Sequence, residues 1–245
     1  MTRIVCVHSL TAHGVVGLKS FIAVLGESLV AVPSLLLTGP GDMPGCRRLD
    51  YDFDGMLDGA LAAVTAGREK AWVFVGYLAN DTQVGVVERA LVRHADVVAG
   101  LVVDPVCGDN GRAYVAPSLI AAWPRLLARA DWALPNITEA ELLTGQENEQ
   151  AVDALRETYP RLQLVVTSWP TPDGVGTRHY GCGVGGAMAE QVQTRMEGRF
   201  NGTGDLFAAV WMREMFLFGA LPAQAMSTAA AAVLNALQMG MARLR

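Results

Sequence analysis

Near the carboxyl end of the 245-residue chain, Phe200-Asn201-Gly202-Thr203-Gly204-Asp205-Leu206-Phe207-Ala208-Ala209 sets two glycines around a threonine and follows them with a carboxylate. Apolar residues at helical spacing begin at once. Glycine has no Cβ, so the backbone N–H groups of such a turn can face an incoming anion without steric cost. A helix N-terminus adds unpaired N–H donors and the positive end of a dipole. Gly202, Thr203 and Gly204 thus form a candidate anion hole, and Asp205 stands beside it as a candidate base. The chemistry this suits is removal of a proton from a hydroxyl while the hole holds a phosphoryl group. A capped helix after a glycine turn uses the same residues and needs no function.

Two further stretches carry carboxylates. Val102-Val103-Asp104-Pro105-Val106-Cys107-Gly108-Asp109 ends a buried strand, with Pro105 fixing the turn. Asp104 and Asp109 beside a nucleotide phosphate could hold Mg²⁺ directly or through its waters, or could simply cap a turn. In Leu134-Pro135-Asn136-Ile137-Thr138-Glu139 a strand end becomes a helix, Asn136 can cap it, and Glu139 lies in the first turn where negative charge suits the dipole. Ordering Mg²⁺ through water is the alternative role for Glu139.

The elements that must position these residues follow from hydrophobic pattern. Strands are expected at Arg3–His8, Leu29–Leu37, Ala71–Gly76, Val97–Asp104, Trp132–Pro135 and Leu162–Ser168, with an end or bulge near Pro33 and Ser34. Helices are expected at Val16–Leu25, Thr82–His94, Pro117–Arg129, Thr138–Tyr159 and Leu221–Arg245. This alternation predicts an α/β fold, one domain over residues 1–245, with a mostly parallel sheet and helices on both faces. In such a sheet ligands bind beyond the carboxyl ends of the strands, where Ser9, Gly76-Tyr77, Asp104, Asn136 and Thr167-Ser168 fall. Trp169–Arg199, rich in glycine and with Pro170 and Pro172, reads as an exposed turn or hairpin and a mobile flap leading into the anion site.

Bulk composition narrows the function. With 51% hydrophobic and 18% charged residues a substantial core can form. A net charge of −5 argues against a broad nucleic-acid surface and leaves room for a small phosphorylated ligand. Cys6, Cys46, Cys107 and Cys182 have no paired spacing and read as reduced thiols; Cys6 and His8 share a strand face without further nameable metal ligands. The apolar run after Arg3 is too short for a signal peptide and no stretch is long enough to cross a membrane, so a soluble cytoplasmic protein is expected. His13 reads as an exposed loop residue, His8, His94 and His179 carry no readable role, and Trp72, Trp123, Trp132 and Trp211 read as packing residues.

Taken in order, Asp-Pro-Val-x-Gly-Asp, Pro-Asn-x-x-Glu with Glu-Leu-Leu-Thr-Gly, and Gly-Thr-Gly-Asp-Leu-Phe resemble the ribokinase superfamily, most closely its vitamin B6 (pyridoxal) kinase family. Ser9, the Gly14-x-x-Gly17 turn, Gly76-Tyr77 and Val166-Thr167-Ser168 match as well, so the resemblance runs from about Ile4 to Leu237. It implies a three-layer α/β/α ribokinase-like fold and ATP-dependent phosphorylation of the 5′-hydroxymethyl group of pyridoxal, pyridoxine or pyridoxamine. Asp205 would be the base and position the hydroxyl. Gly202, Thr203 and Gly204 would hold the γ-phosphoryl group, and Asp104, Asn136, Thr167 and Ser168 would surround the nucleotide phosphates. Asp109 and Glu139 would organise Mg²⁺, while Ser9 and Tyr77 would contact the vitamin. The resemblance also implies a homodimer. Leu134 stands where the family has a threonine at a monovalent cation site, and Thr38–Arg48 departs from the family's covering loop. A hydroxymethylpyrimidine kinase on the same fold would have a cysteine at position 205. A non-catalytic ligand-binding homologue is the reading from another class.

Overall fold

A computed structural model of the chain describes residues 2–39, 43–172, 174–183, 185–194 and 200–240. Its strands are β1 (Thr2–Thr11), β2 (Leu29–Leu37), β3 (Arg48–Leu49), β4 (Lys70–Val75), β5 (Val98–Val103), β6 (Gly108–Asp109), β7 (Arg112–Ala113), β8 (Trp132–Ala133), β9 (Gln163–Thr171), β10 (Gly174–Tyr180) and β11 (Ala189–Gln193). Its helices are α1 (Leu18–Leu25), α2 (Phe53–Ala66), α3 (Thr82–Arg93), α4 (Pro117–Leu127), α5 (Ile137–Thr144), α6 (Asn148–Thr158), α7 (Thr203–Phe216) and α8 (Pro222–Gln238).

Nine strands form one sheet in the order β11-β10-β9-β8-β5-β4-β1-β2-β3, and β6 and β7 form a separate small hairpin. The middle of the sheet, from β2 through β1, β4, β5 and β8 to β9, is parallel throughout. Antiparallel strands close both edges, β3 on β2 and the β10–β11 pair on β9. Strands buried on both faces need apolar side chains at every position, which is why β1, β4 and β5 read as continuous apolar runs.

Alternate residues of β1 serve different layers. Val5 and Val7 pack with Leu57 and Leu61 of α2, while Ile4 and Cys6 pack with Phe21 of α1 and Trp211 of α7. Helices α2, α3, α4 and α6 cover the first face, and α1, α7 and α8 cover the second. The result is the three-layer α/β/α arrangement expected from the sequence. Trp123, Trp132 and Trp211 are buried in these layers, and Trp72 is partly buried.

Several departures have local causes. The expected helix over Thr138–Tyr159 is two helices, because Gly145 takes the left-handed conformation (φ 70°) and Asn148 does so again (φ 51°). A glycine there ends a helix cheaply and lets its N–H return to Glu141 O. The bulge expected near Pro33 is present: His8 pairs with Pro33 and Ser9 with Leu35, which leaves Ser34 as the extra residue. Much of the expected flap is sheet. The hairpin is β9–β10, Tyr180 and His179 are buried, and Gly176 gives Trp169 and Thr171 room to pack. The parts of that flap at 173, 184 and 195–199, residues 40–42 of the covering loop and residues 241–245 of the last expected helix lie outside the described residues. No described helix is long and apolar enough to cross a membrane.

Candidate active site

At the carboxyl ends of β1, β4, β5, β8 and β9 opens a cleft of about 330 Å³. The candidate site residues from the sequence line it: Ser9, Tyr77, Asp104, Asp109, Asn136, Glu139, Thr167, Ser168, Gly202, Thr203, Gly204 and Asp205; Gly76, named with Tyr77, does not. Parallel strands all end on one edge, so residues separated by nearly 200 positions converge without any local signal connecting them.

Helix α7 enters the cleft by its N-terminus. Its cap is Gly202 in the left-handed conformation (φ 81°), with no side-chain cap hydrogen bond, and Asp205 lies in its first turn. A glycine cap has no side chain to satisfy the N–H groups of the first turn, so they can serve an anion. Asp205 is held from two sides. Its Oδ2 accepts from the Gly17 backbone N–H at 2.6 Å, and its Oδ1 lies 3.1 Å from His8 Nε2.

Helix α5 also points its N-terminus here, and its end is closed. Asn136 Oδ1 accepts from the Glu139 N–H at 2.9 Å, and Glu139 Oε2 accepts from the Asn136 N–H at 2.8 Å. Glu139 Oε1 accepts from Cys107 N–H at 3.1 Å, and the Asn136 amide donates to Gly108 O at 2.9 Å. These bonds tie α5 to the β6–β7 hairpin. Asp109, on that hairpin, is exposed and accepts from Asn110 N–H and from the Asn110 amide. Ser168 at the rim takes a positive φ of 57°, uncommon for a non-glycine residue and a form of strain found at ligand sites.

Of the four carboxyls in the cleft, three are driven in different directions by their surroundings. Burial pushes Asp205 up, but the His8 ring and the Gly17 N–H outweigh it and hold the carboxyl below the usual range. Burial pushes Asp104 up to about 7, eased by His8 and reinforced by the charge of Asp205. Burial and the charge of Asp104 push Glu139 well up, against the backbone donors it collects. Environments that drive neighbouring carboxyls in opposite directions sort acids from bases, and here Asp205 is the one kept ionised.

Sequence reasoning missed His8, Val106 and Tyr114, all of which line the cleft. Strand alternation placed His8 beside Cys6 on one face but gave no sign that α7 would bring a carboxylate to it. His13 is exposed, as expected. Among the described residues no three His, Cys, Asp or Glu side chains are arranged to hold a metal ion unaided. Asp109 and Glu139 both line the cleft, and carboxylate oxygens are the donors that a hard cation takes.

The family model for phosphomethylpyrimidine kinase matches residues 18–244. A Schizosaccharomyces pombe protein provisionally named a pyridoxal kinase is 29% identical over 226 residues, covering 85% of this chain and 72% of the relative. Against other relatives the chain spans about half of their length. The crystal structure of pyridoxal kinase from Lactobacillus plantarum is 27% identical with a TM-score of 0.82, covering 100% of this chain and 90% of that one. Pyridoxal kinase from Leishmania donovani in complex with ADP and pyridoxamine has a TM-score of 0.85 at 23% identity, over 99% and 90% of the two chains, which establishes the shared fold.

Proposed function

Since the chain belongs to the phosphomethylpyrimidine kinase family, we propose that it is an ATP-dependent kinase acting on the 5′-hydroxymethyl group of pyridoxal, pyridoxine or pyridoxamine. The observation that carries this reading is Asp205. It is a partly buried carboxylate kept ionised, in the first turn of a glycine-capped helix that points into the cleft.

Phosphoryl transfer asks for in-line placement and for groups that take up spread negative charge. Asp205 receives the hydroxyl proton; the two contacts it already makes leave further lone pairs on its oxygens. The N–H groups of Thr203, Gly204 and Asp205 face the transferring phosphoryl group and stabilise its charge without reorganising. Ser9 and Tyr77 wall the side where the ring of the vitamin lies. Thr167 and Ser168 lie along the path of the nucleotide phosphates. Asp104 stands between the two helix ends, where a cation would favour its ionised form. Asn136 and Glu139 act by holding the wall and the β6–β7 hairpin that presents Asp109. Bound Mg²⁺ would neutralise phosphate charge, with Asp109 and Glu139 ordering its waters. The same reading takes the protein to be a homodimer, which sedimentation velocity tests.

The family's name carries a methylpyrimidine rather than a B6 vitamer, which favours hydroxymethylpyrimidine as the second candidate substrate. Product formation from Mg-ATP with pyridoxal, pyridoxine and hydroxymethylpyrimidine, side by side, decides between them. Phosphorylation of a B6 vitamer is the expected result. Turnover of the pyrimidine alone overturns the substrate and keeps the chemistry; no turnover of any overturns both.

A further inference from the structure

His8 ends the run Ile4, Cys6, His8 on the α7 face of β1, and its side chain is 4% exposed. Its ring stacks parallel to Phe74 at 6.4 Å and lies 6.2 Å from Phe21, an apolar setting in which an unmatched polar atom is costly. Space for it exists because residue 76 is glycine: a Cβ there would fall 2.2 Å from the His8 ring. One ring nitrogen is committed. The Ser9 backbone N–H donates to Nδ1 at 2.9 Å, so Nδ1 is an acceptor and the ring proton belongs on Nε2. Nε2 is buried, has no well-aligned partner, and lies 3.1 Å from Asp205 Oδ1. The ring is thus fixed by packing and tautomer with its one free N–H beside the carboxylate.

We propose that His8 is a positioning residue for Asp205, its Nε2–H holding Oδ1 while Gly17 N–H holds Oδ2, so that the charged carboxylate stays aimed at the substrate hydroxyl. This deepens the kinase reading and rests on it. The other titratable groups around Asp205 are Cys6 on β1, Asp104 beyond β5 and Tyr114 beyond β7. None of these offers a positive charge or a nitrogen donor, and burial raises the thiol and the phenol, which keeps both neutral. The donors that Asp205 meets are the His8 Nε2–H beside Oδ1 and the Gly17 N–H on Oδ2.

The test compares His8→Leu with His8→Gln, whose amide nitrogen can reach the position of Nε2. Two readouts are taken: the ¹³C carboxyl titration of Asp205 in the ligand-free protein, assigned by its loss in Asp205→Asn, and the pH profile of kcat/KM for pyridoxal with Mg-ATP. In His8→Leu the Asp205 titration should move up by about one pH unit, and the acid limb of kcat/KM should follow it. His8→Gln should return both most of the way. If the leucine variant does not fold, His8→Asn, whose amide stops short of Oδ1, should show the same upward shift. An Asp205 titration unchanged in these variants, with only thermal stability lowered, would leave His8 a packing residue and overturn the proposal. If the titration moves while the wild-type protein phosphorylates no substrate, the His8–Asp205 coupling stands and the kinase reading falls.

Discussion

Helices α5 and α7 bring their N-termini to the same cleft and finish them in opposite ways. Asn136 and Glu139 close α5 with a reciprocal capping box, and the remaining Glu139 oxygen binds Cys107 N–H. Gly202 caps α7 with no side chain at all, and the Asp205 carboxylate meets His8 and Gly17. A helix end that satisfies its own donors is a piece of wall. One that leaves them open is a place for an anion. The lesson is that two similar motifs, Pro-Asn-x-x-Glu and Gly-Thr-Gly-Asp, do different work because one cap has a side chain and the other does not.

The largest effect expected from breaking this contrast is at the base. Asp205→Asn should lower kcat by ~10²–10⁴-fold while leaving ADP affinity within a few-fold, read by steady-state kinetics and calorimetry. Activity near that of wild type would remove Asp205 from the chemistry. Next comes the open cap. In Gly202→Ala the new Cβ would meet Val15 O at 2.9 Å in a left-handed backbone, so the first turn must shift. A displaced anion hole should cost about 10²-fold in kcat.

A smaller effect is expected at Asp104, between the two helix ends. Its folded pKa of about 7 lies above the unfolded 3.8, so the native state binds the extra proton and wild-type stability falls as pH rises from about 4 to 7. Asp104→Asn mimics the protonated form. It should raise stability at pH 8 by at most about 4 kcal/mol and have little effect at pH 4, as followed by thermal unfolding. The smallest effect should come from the closed cap. Asn136→Ala should cost about 1 kcal/mol of stability and shift kcat far less than Gly202→Ala does. A loss in kcat as large as that of Gly202→Ala would mean that α5 is more than wall.

Much of this was legible in the sequence, for identifiable reasons. Strand β2 was bounded at Leu29 and Leu37, and its bulge located, because a continuous apolar run carrying a proline has few other solutions. The cleft residues were named because parallel strands deliver their carboxyl ends to one edge. The break at Gly145 is absent from the expected helix although a glycine after Thr144 is itself a stop signal, and its left-handed φ is what ends α5. His8 was passed over because its role depends on Asp205, 197 positions away, and on the space left by Gly76. The sequence marks a turn or hairpin here but not how much of it is sheet, because glycines thin the apolar pattern of β10 and β11, although Tyr180 and His179 are buried there.

The contrast between the helix ends is tested most directly by the backbone amides themselves. In a ¹⁵N–¹H titration of the deuterated protein with ADP and Mg²⁺, followed by Mg-ATP, the amides of Thr203, Gly204 and Asp205 should shift strongly and gain exchange protection. Those of Ile137 and Thr138, at the closed end of α5, should move far less. Large shifts at α5 with α7 unperturbed would contradict the assignment of the glycine-capped end as the phosphoryl site.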